Sequence, residues 1–112
     1  MPTSRSLPLA IFHILVSLAD QERHGYAIMQ DVADRTDGKL RMGPGTLYGS
    51  LKRMLNAGLI VESDERPDPD SDDERRRYYR MTALGQRAVR AEAQRLSGAL
   101  SAAKTKLAGD FS

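Results

Sequence analysis

Gly43-Pro44-Gly45-Thr46-Leu47-Tyr48-Gly49-Ser50-Leu51-Lys52-Arg53-Met54-Leu55 is the stretch on which the fold turns. Pro44 suits the first turn of a helix, where an N–H has no partner in any case and the fixed φ is already helical. Leu47, Leu51, Met54 and Leu55 then recur at helical spacing and make one apolar face. The same spacing predicts that Thr46, Tyr48, Ser50, Lys52 and Arg53 look the other way. Gly58, just past the last turn, suits a left-handed cap. The expected element is a short helix with an apolar underside and a basic, hydroxyl-rich top. Such a top is shaped for insertion, and the flanking chain reads as the frame that aims it.

Composition narrows what that frame serves. The chain has 112 residues, enough for one domain around one small core. With 40% hydrophobic and 29% charged residues it is ordinary for a globular protein. It contains no cysteine, which excludes disulfides, thiolate zinc sites and cysteine nucleophiles. Its two histidines, His13 and His24, are too few for a histidine-built metal site. No apolar run approaches a membrane span and no signal-peptide block opens the chain, so the expected location is the cytoplasm. The net charge of +2 hides an asymmetry: Glu62 to Glu74 holds eight acids and one base, leaving 16 bases and seven acids elsewhere. A basic body favours polyanions such as nucleic acid or anionic lipid, although a plainly solvated charged surface reads equally well from charge alone.

Upstream, Met1 to Ser6 reads as a loose arm. Leu7, Ile11, Ile14, Leu15 and Leu18 predict a first helix, and Phe12 and Val16 widen its stripe nearly all round, which calls for cover on a second side by a partner subunit. Asp20 to Arg23 is a polar turn. A second helix follows His24-Gly25-Tyr26, with Ile28, Met29 and Val32 inward, and ends near Thr36-Asp37-Gly38. Leu40-Arg41-Met42 is compatible with a small edge strand. Downstream, Leu59 to Glu62 reads as a strand, Glu65 to Glu74 as a solvated loop, and Arg75 to Met81 as the return strand. Thr82 is a good N-cap for a last helix. Along it Val89, Ala93, Leu96, Leu100, Ala103 and Leu107 step in the heptad rhythm of a coiled-coil seam, which argues for dimerisation.

The expected fold class is therefore mainly α with a small β-hairpin: a winged helix-turn-helix over 1–81 and a long dimerising helix over 82–112. In that arrangement one helix lies in the DNA major groove while the wing touches the backbone or minor groove. The residues also resemble the PadR family of bacterial transcriptional regulators. The likeness rests on His24-Gly-Tyr-Ala-Ile, Gly45-Thr-Leu-Tyr48, Leu51, Leu55, Gly58-Leu-Ile60, Arg77-Tyr-Tyr79 and Thr82 followed by Leu84-Gly85, and it spans roughly Leu7 to Leu96. The single helix after the wing is similar to the small PadR-like subfamily. The resemblance implies a homodimeric repressor of a double-stranded DNA operator, with the last helix packed on the partner's first. It implies for some members a small aromatic or drug-like effector at that interface, and no cofactor. Two features depart from the family: Gly49 stands where many members have proline, and the wing loop is unusually acidic.

The candidate DNA contacts are Thr46, Tyr48, Ser50, Lys52 and Arg53 on the helix and Arg75, Arg76, Arg77 and Arg80 on the return strand. Arginine can pair bidentately with guanine, and lysine anchors phosphate. The plainer readings are a solvated helix face, a bracing Tyr48, and arginines neutralised by Asp72-Asp73-Glu74. Phe12, His13 and Val16, with the seam residues, are the candidate interface and effector pocket. His24 reads as structural, and Gly25 as a close backbone approach or helix entry. A winged-helix protein–protein module is the alternative function. For an enzyme the chain offers no catalytic triad, metal cluster or phosphate-cradling loop.

Overall fold

The computed structural model describes residues 6–63, 66–68 and 71–108, and between 66 and 75 the backbone alone. The expected arm at Met1 to Ser6 lies outside the described residues apart from Ser6. The order is α1 (Leu9–Ser17), β1 (Arg23–His24), α2 (Gly25–Arg35), α3 (Pro44–Asn56), β2 (Ile60–Glu62), β3 (Arg66–Asp68), β4 (Ser71–Arg76), β5 (Tyr78–Met81) and α4 (Ala83–Lys106). The protein is mostly helical with a small three-stranded antiparallel sheet, a winged helix.

Each helix boundary has a local cause. His24 caps α2, its Nδ1 accepting the Ala27 N–H at 3.1 Å. At the far end Asp37 (φ 53°) and Gly38 (φ 77°) turn left-handed, and the Gly38 N–H returns to the Ala33 carbonyl at 2.7 Å. Pro44 opens α3, and Gly58 (φ 78°) closes it, letting the Leu59 N–H reach the Met54 carbonyl at 3.0 Å. Thr82 caps α4 by accepting the Gly85 N–H at 3.0 Å, while its own hydroxyl donates to the Gly58 carbonyl at 2.6 Å.

Ile11, Ile14 and Leu15 of α1, Ile28 and Val32 of α2, and Leu47, Leu51 and Met54 of α3 form the core, closed by Ile60 and Tyr79 from the sheet. The sheet runs β1-β5-β2, with Arg23 opposite Tyr79 and Ile60 opposite Met81. Three expectations change here. Leu40-Arg41-Met42 is not a strand: Arg23–His24 takes the free edge of β5, and Met42 is buried from an irregular turn. Glu65 to Glu74 is not all loop, because β3 and most of β4 lie in it and pair, Asp68 opposite Ser71. A two-stranded ribbon keeps its backbone hydrogen bonds without an apolar face, so scarce hydrophobic residues do not forbid it. The return strand is also interrupted at Arg77, which divides β4 from β5.

The molecule measures 53 × 36 × 24 Å. The 24 residues of α4 rise about 36 Å, more than the body beneath can cover. Its base is seated through Gly85, where an added Cβ would stand 2.1 Å from the Leu59 carbonyl oxygen. Gly85→Ala should therefore cost about 2–3 kcal/mol or more. Gly98→Ala on the same helix, where an added Cβ meets nothing within 4 Å, should gain up to about 1 kcal/mol. Urea denaturation of the two variants checks this opposition of sign.

Candidate nucleic-acid interface

The outer face of α3 carries Thr46, Tyr48, Lys52 and Arg53, all exposed. Ser50 is not among them. It is fully buried, because it stands three residues after Leu47 and four before Met54 and so belongs to the apolar stripe. Its hydroxyl accepts a long hydrogen bond, 3.4 Å, from the Arg53 guanidinium. Ser50 is thus withdrawn from the candidate contacts. Gly49 leaves α3 unbroken, and an added Cβ there would meet Arg53 Nη1 at 4.0 Å.

Tyr48 joins α3 to α2. A Cβ on Gly25 would stand 2.6 Å from the Tyr48 hydroxyl, so the ring lies over the start of α2 in a space that only glycine leaves. The bracing role and an outward surface coexist, since Tyr48 remains 49% exposed. Next along the chain Tyr26 is also exposed, and the Arg76 guanidinium sits 5.8 Å over its ring. The surface therefore runs from α3 through Tyr48 and Tyr26 to Arg76 at the base of the wing. Sequence reasoning passes over Tyr26. The available signal is an aromatic on α2 outside the stripe set by Ile28, Met29 and Val32.

Along the wing the arginines diverge. Arg80 is exposed. Arg77 pairs with Glu62 across the sheet at 3.5 Å, rather than standing as a bare cation. The Arg75 side chain, and those of Asp72, Asp73 and Glu74, lie outside the described residues. Tyr79 enters the core, and burial, with Glu62 and Tyr48 nearby, pushes its hydroxyl above the usual phenol range. Tyr78 is buried edge-on against His24, ring centroids 5.3 Å apart. Two further exposed cations, Lys39 and Arg41, stand in the turn between α2 and α3.

A polar bracket holds α2 against α1. Arg35 Nε donates to Asp31 at 2.8 Å, while Arg35 Nη2 donates to the Ser17 hydroxyl at 2.8 Å and the His13 carbonyl at 3.0 Å. Arg23 donates to the Ser17 carbonyl at 2.7 Å and lies 3.8 Å from Asp31. Burial alone would raise the Asp31 carboxyl. Hydrogen bonds from Arg35 and Ser17, with the charges of Arg35 and Arg23, carry it below its ordinary 3.8. Burial, then the Arg35 charge, lowers His13 from 6.5.

The second candidate surface lies on α1 and α4. Phe12, His13 and Val16 are half-buried. Val89 packs against the core, whereas Ala93, Leu96, Leu100 and Leu107 are exposed and Ala103 is half-buried. Among these residues α4 hides one outside the seam pattern: Glu92, 5% exposed, whose carboxylate accepts the Leu7 N–H at 3.2 Å and is held by Arg95. Among the described residues no group of His, Asp or Glu gathers as a metal ion would need, and no helix is long and apolar enough to cross a membrane.

A family model described as the transcriptional regulator PadR-like family matches residues 14–91, a span running from α1 through the wing into α4. The chain belongs to the PadR-like family. It is 37% identical over 77 residues to the transcriptional regulator Rv3488 of Mycobacterium tuberculosis, a match covering 69% of this chain and 65% of that protein. Less than two thirds of that relative's length is thus represented. A PadR-like regulator from Bacillus cereus superposes with a TM-score of 0.74 at 20% identity, over 89% of this chain and 92% of that one. Bacillus subtilis PadR, solved in complex with operator DNA, gives 0.62 at 18% identity over 73% of this chain and 45% of its own. At such identities these two likenesses establish the fold, and the PadR-like fold is the winged helix described above. The family is one of transcription regulators rather than enzymes.

The Asp31 and His13 shifts set a direction with pH. His13 takes up a proton less readily in the native state than in the unfolded chain. The stability this gives at neutral pH is lost as pH falls from about 6.5 toward the lower native value. Asp31, with its value depressed, contributes above 3.8 and is lost as pH falls through its native value. Thermal melts should decline as pH falls below about 6.5. His13→Gln should flatten that limb, and Asp31→Asn should remove part of the steeper fall below pH 4.

Proposed function

We propose that this PadR-like protein is a DNA-binding transcriptional repressor that holds a palindrome-like operator as a homodimer, with residues 1–81 reading DNA and 82–112 dimerising. The observation that carries the reading is the outer face of α3, where Thr46, Tyr48, Lys52 and Arg53 stand exposed on a helix braced from behind by α2. The operator complex of Bacillus subtilis PadR supports it, since that protein shares the fold. Arg53 is the candidate for guanine readout, Lys52 for phosphate, and Thr46 and Tyr48 for phosphate or base edges. Arg76 and Arg80 extend the contact to the base of the wing. Arg77 is largely engaged with Glu62.

Dimerisation through α4 is favoured by the exposed Leu96 and Leu100 and by Leu107 at its C-cap, with Phe12 and Val16 of α1 half-buried. A small aromatic effector that released DNA would sit between those surfaces, near His13. The acidic wing favours one other reading, a protein–protein module without DNA binding.

Gel shifts against the chain's own upstream region separate the two. Binding should weaken steeply with salt, because a protein that neutralises phosphates releases their counterions. Arg53→Ala and Tyr48→Ala should each lose about 1–3 kcal/mol of affinity while keeping the circular dichroism of the fold. Lys52→Ala should also lower the salt slope by about 0.9 for each phosphate left without its cation. Light scattering should report a dimer. Binding indifferent to all three substitutions would remove α3 as the reading helix, and a stable protein partner with no salt-sensitive DNA binding would favour the module.

A further inference from the structure

Over its whole length α4 buries two residues, Gly85 at its base and Glu92 two turns on. Gly85 fixes where the helix starts. Beyond Glu92 every α4 residue except Ala103 is exposed, so the helix leaves the body there. One anchor sets a position, and a direction needs a second. Val89 adds apolar contact with the core, but it is only partly buried and the attraction of a single apolar side chain is non-directional. Glu92 supplies the directional restraint. Its Oε1 accepts the Leu7 N–H at 3.2 Å, in the two residues that lead into α1, and Arg95, one turn along α4, donates to both carboxylate oxygens. The Arg95 hydrogen bond, and then the Leu7 N–H, hold the carboxyl below the usual glutamate range, so it stays charged at neutral pH. A carboxylate that buried, bonded to the backbone of another helix's entry, is a bolt rather than a surface charge.

We infer that Glu92 is a positioning residue: by fixing the angle of α4 to the winged-helix body, it sets the separation of the two α3 helices in the dimer and hence the half-site spacing the protein accepts. This deepens the dimeric reading above and rests on it. Two reading helices on a two-fold dimer must meet successive major grooves, about 34–36 Å apart, so a few degrees at the root of a long lever matter. Removing Glu92 touches neither α3 nor the exposed leucines, so it leaves both reading and association in place and frees the angle between them.

The chain has no cysteine, so one spin label per protomer can be placed at Asn56→Cys, exposed on the last turn of α3. Electron–electron resonance then measures the α3–α3 distance directly, without DNA. The wild-type background should give one narrow distribution. Glu92→Ala and Glu92→Gln should remain dimeric by light scattering and give a clearly broadened one. On DNA, the wild type should prefer the matched spacing over one lengthened by about 5 base pairs, half a helical turn, and that preference should fall by on the order of tenfold in the variants. A loss of stability alone would weaken both DNAs equally and leave their ratio unchanged. Should the Glu92 variants lose their helical signal, Arg95→Ala, on the exposed side of the pair, decides by the same two readouts. Folded, dimeric variants with the wild-type distribution and ratio would overturn the inference. A wild type with no inter-label distance would instead overturn the dimeric reading on which it stands.

Discussion

The structure depends on one close approach, the seating of α4 on the backbone of Leu59. Without a side chain at Gly85 the helix comes down to the Leu59 carbonyl, and Thr82 hydrogen-bonds back to Gly58 in the same place. The left-handed Gly58 that ends α3 is therefore also the point from which α4 is hung. The end of α3, the start of β2, the end of β5 and the base of α4 share a few residues. Any motion of α4 is transmitted to α3 through this joint. A compact joint of this kind fixes the position of the helix base, because it is built from backbone and a β-hydroxyl with no long side chain to change rotamer, and it leaves the direction of the helix to contacts farther along.

A second close approach sets the other end of α3. Tyr48 reaches over Gly25 at the entry of α2, and His24 caps that same entry while meeting the ring of Tyr78. The motif His24-Gly25-Tyr26 therefore does three jobs in three residues: cap, clearance and surface aromatic. Fixed at both ends, α3 presents its outer face with little freedom, and this lowers the ordering cost of any contact that face makes. The bracket of Arg35, Asp31 and Arg23 does the same for α2 against α1, and brings with it a sensitivity to acid.

Much of this is legible in the sequence because it is periodic or punctuated. The apolar stripes of α1, α2 and α3, the glycine after α3 and the Thr82 cap all follow from local chemistry, and so does the order of elements. The candidate site is legible only at the level of a face. Sorting hydroxyl residues by polarity puts Ser50 on the wrong side, whereas its distance of three from Leu47 and four from Met54 places it inside. The edge strand at Arg23–His24 cannot be read, since two residues carry no alternation and the pairing with Tyr78 and Tyr79 is set by a partner far along the chain. Glu92 is invisible for a different reason. A glutamate beside a heptad seam looks like any solvated charge until the backbone of Leu7 is known to lie across it.

The charge distribution gives two stretches of this chain unlike electrostatics. The window Glu62 to Glu74 is strongly acidic, whereas α3 and the turn before it bring Lys39, Arg41, Lys52 and Arg53 with no acid between Gly38 and Ser63 except Glu62. At physiological salt such fields fade over about 8 Å, so acid and base on one small domain do not cancel at a distance but act where they stand. A polyanion approaching α3 meets the cations first, and an approach led by the wing meets repulsion. If the protein binds DNA as proposed, a wing of this composition orients the encounter by exclusion. At its foot Arg76 stands beside Tyr26 and Arg80 is exposed. The near-neutral total is then no sign of indifference to nucleic acid: the sign that matters is the one on the face that α3 presents.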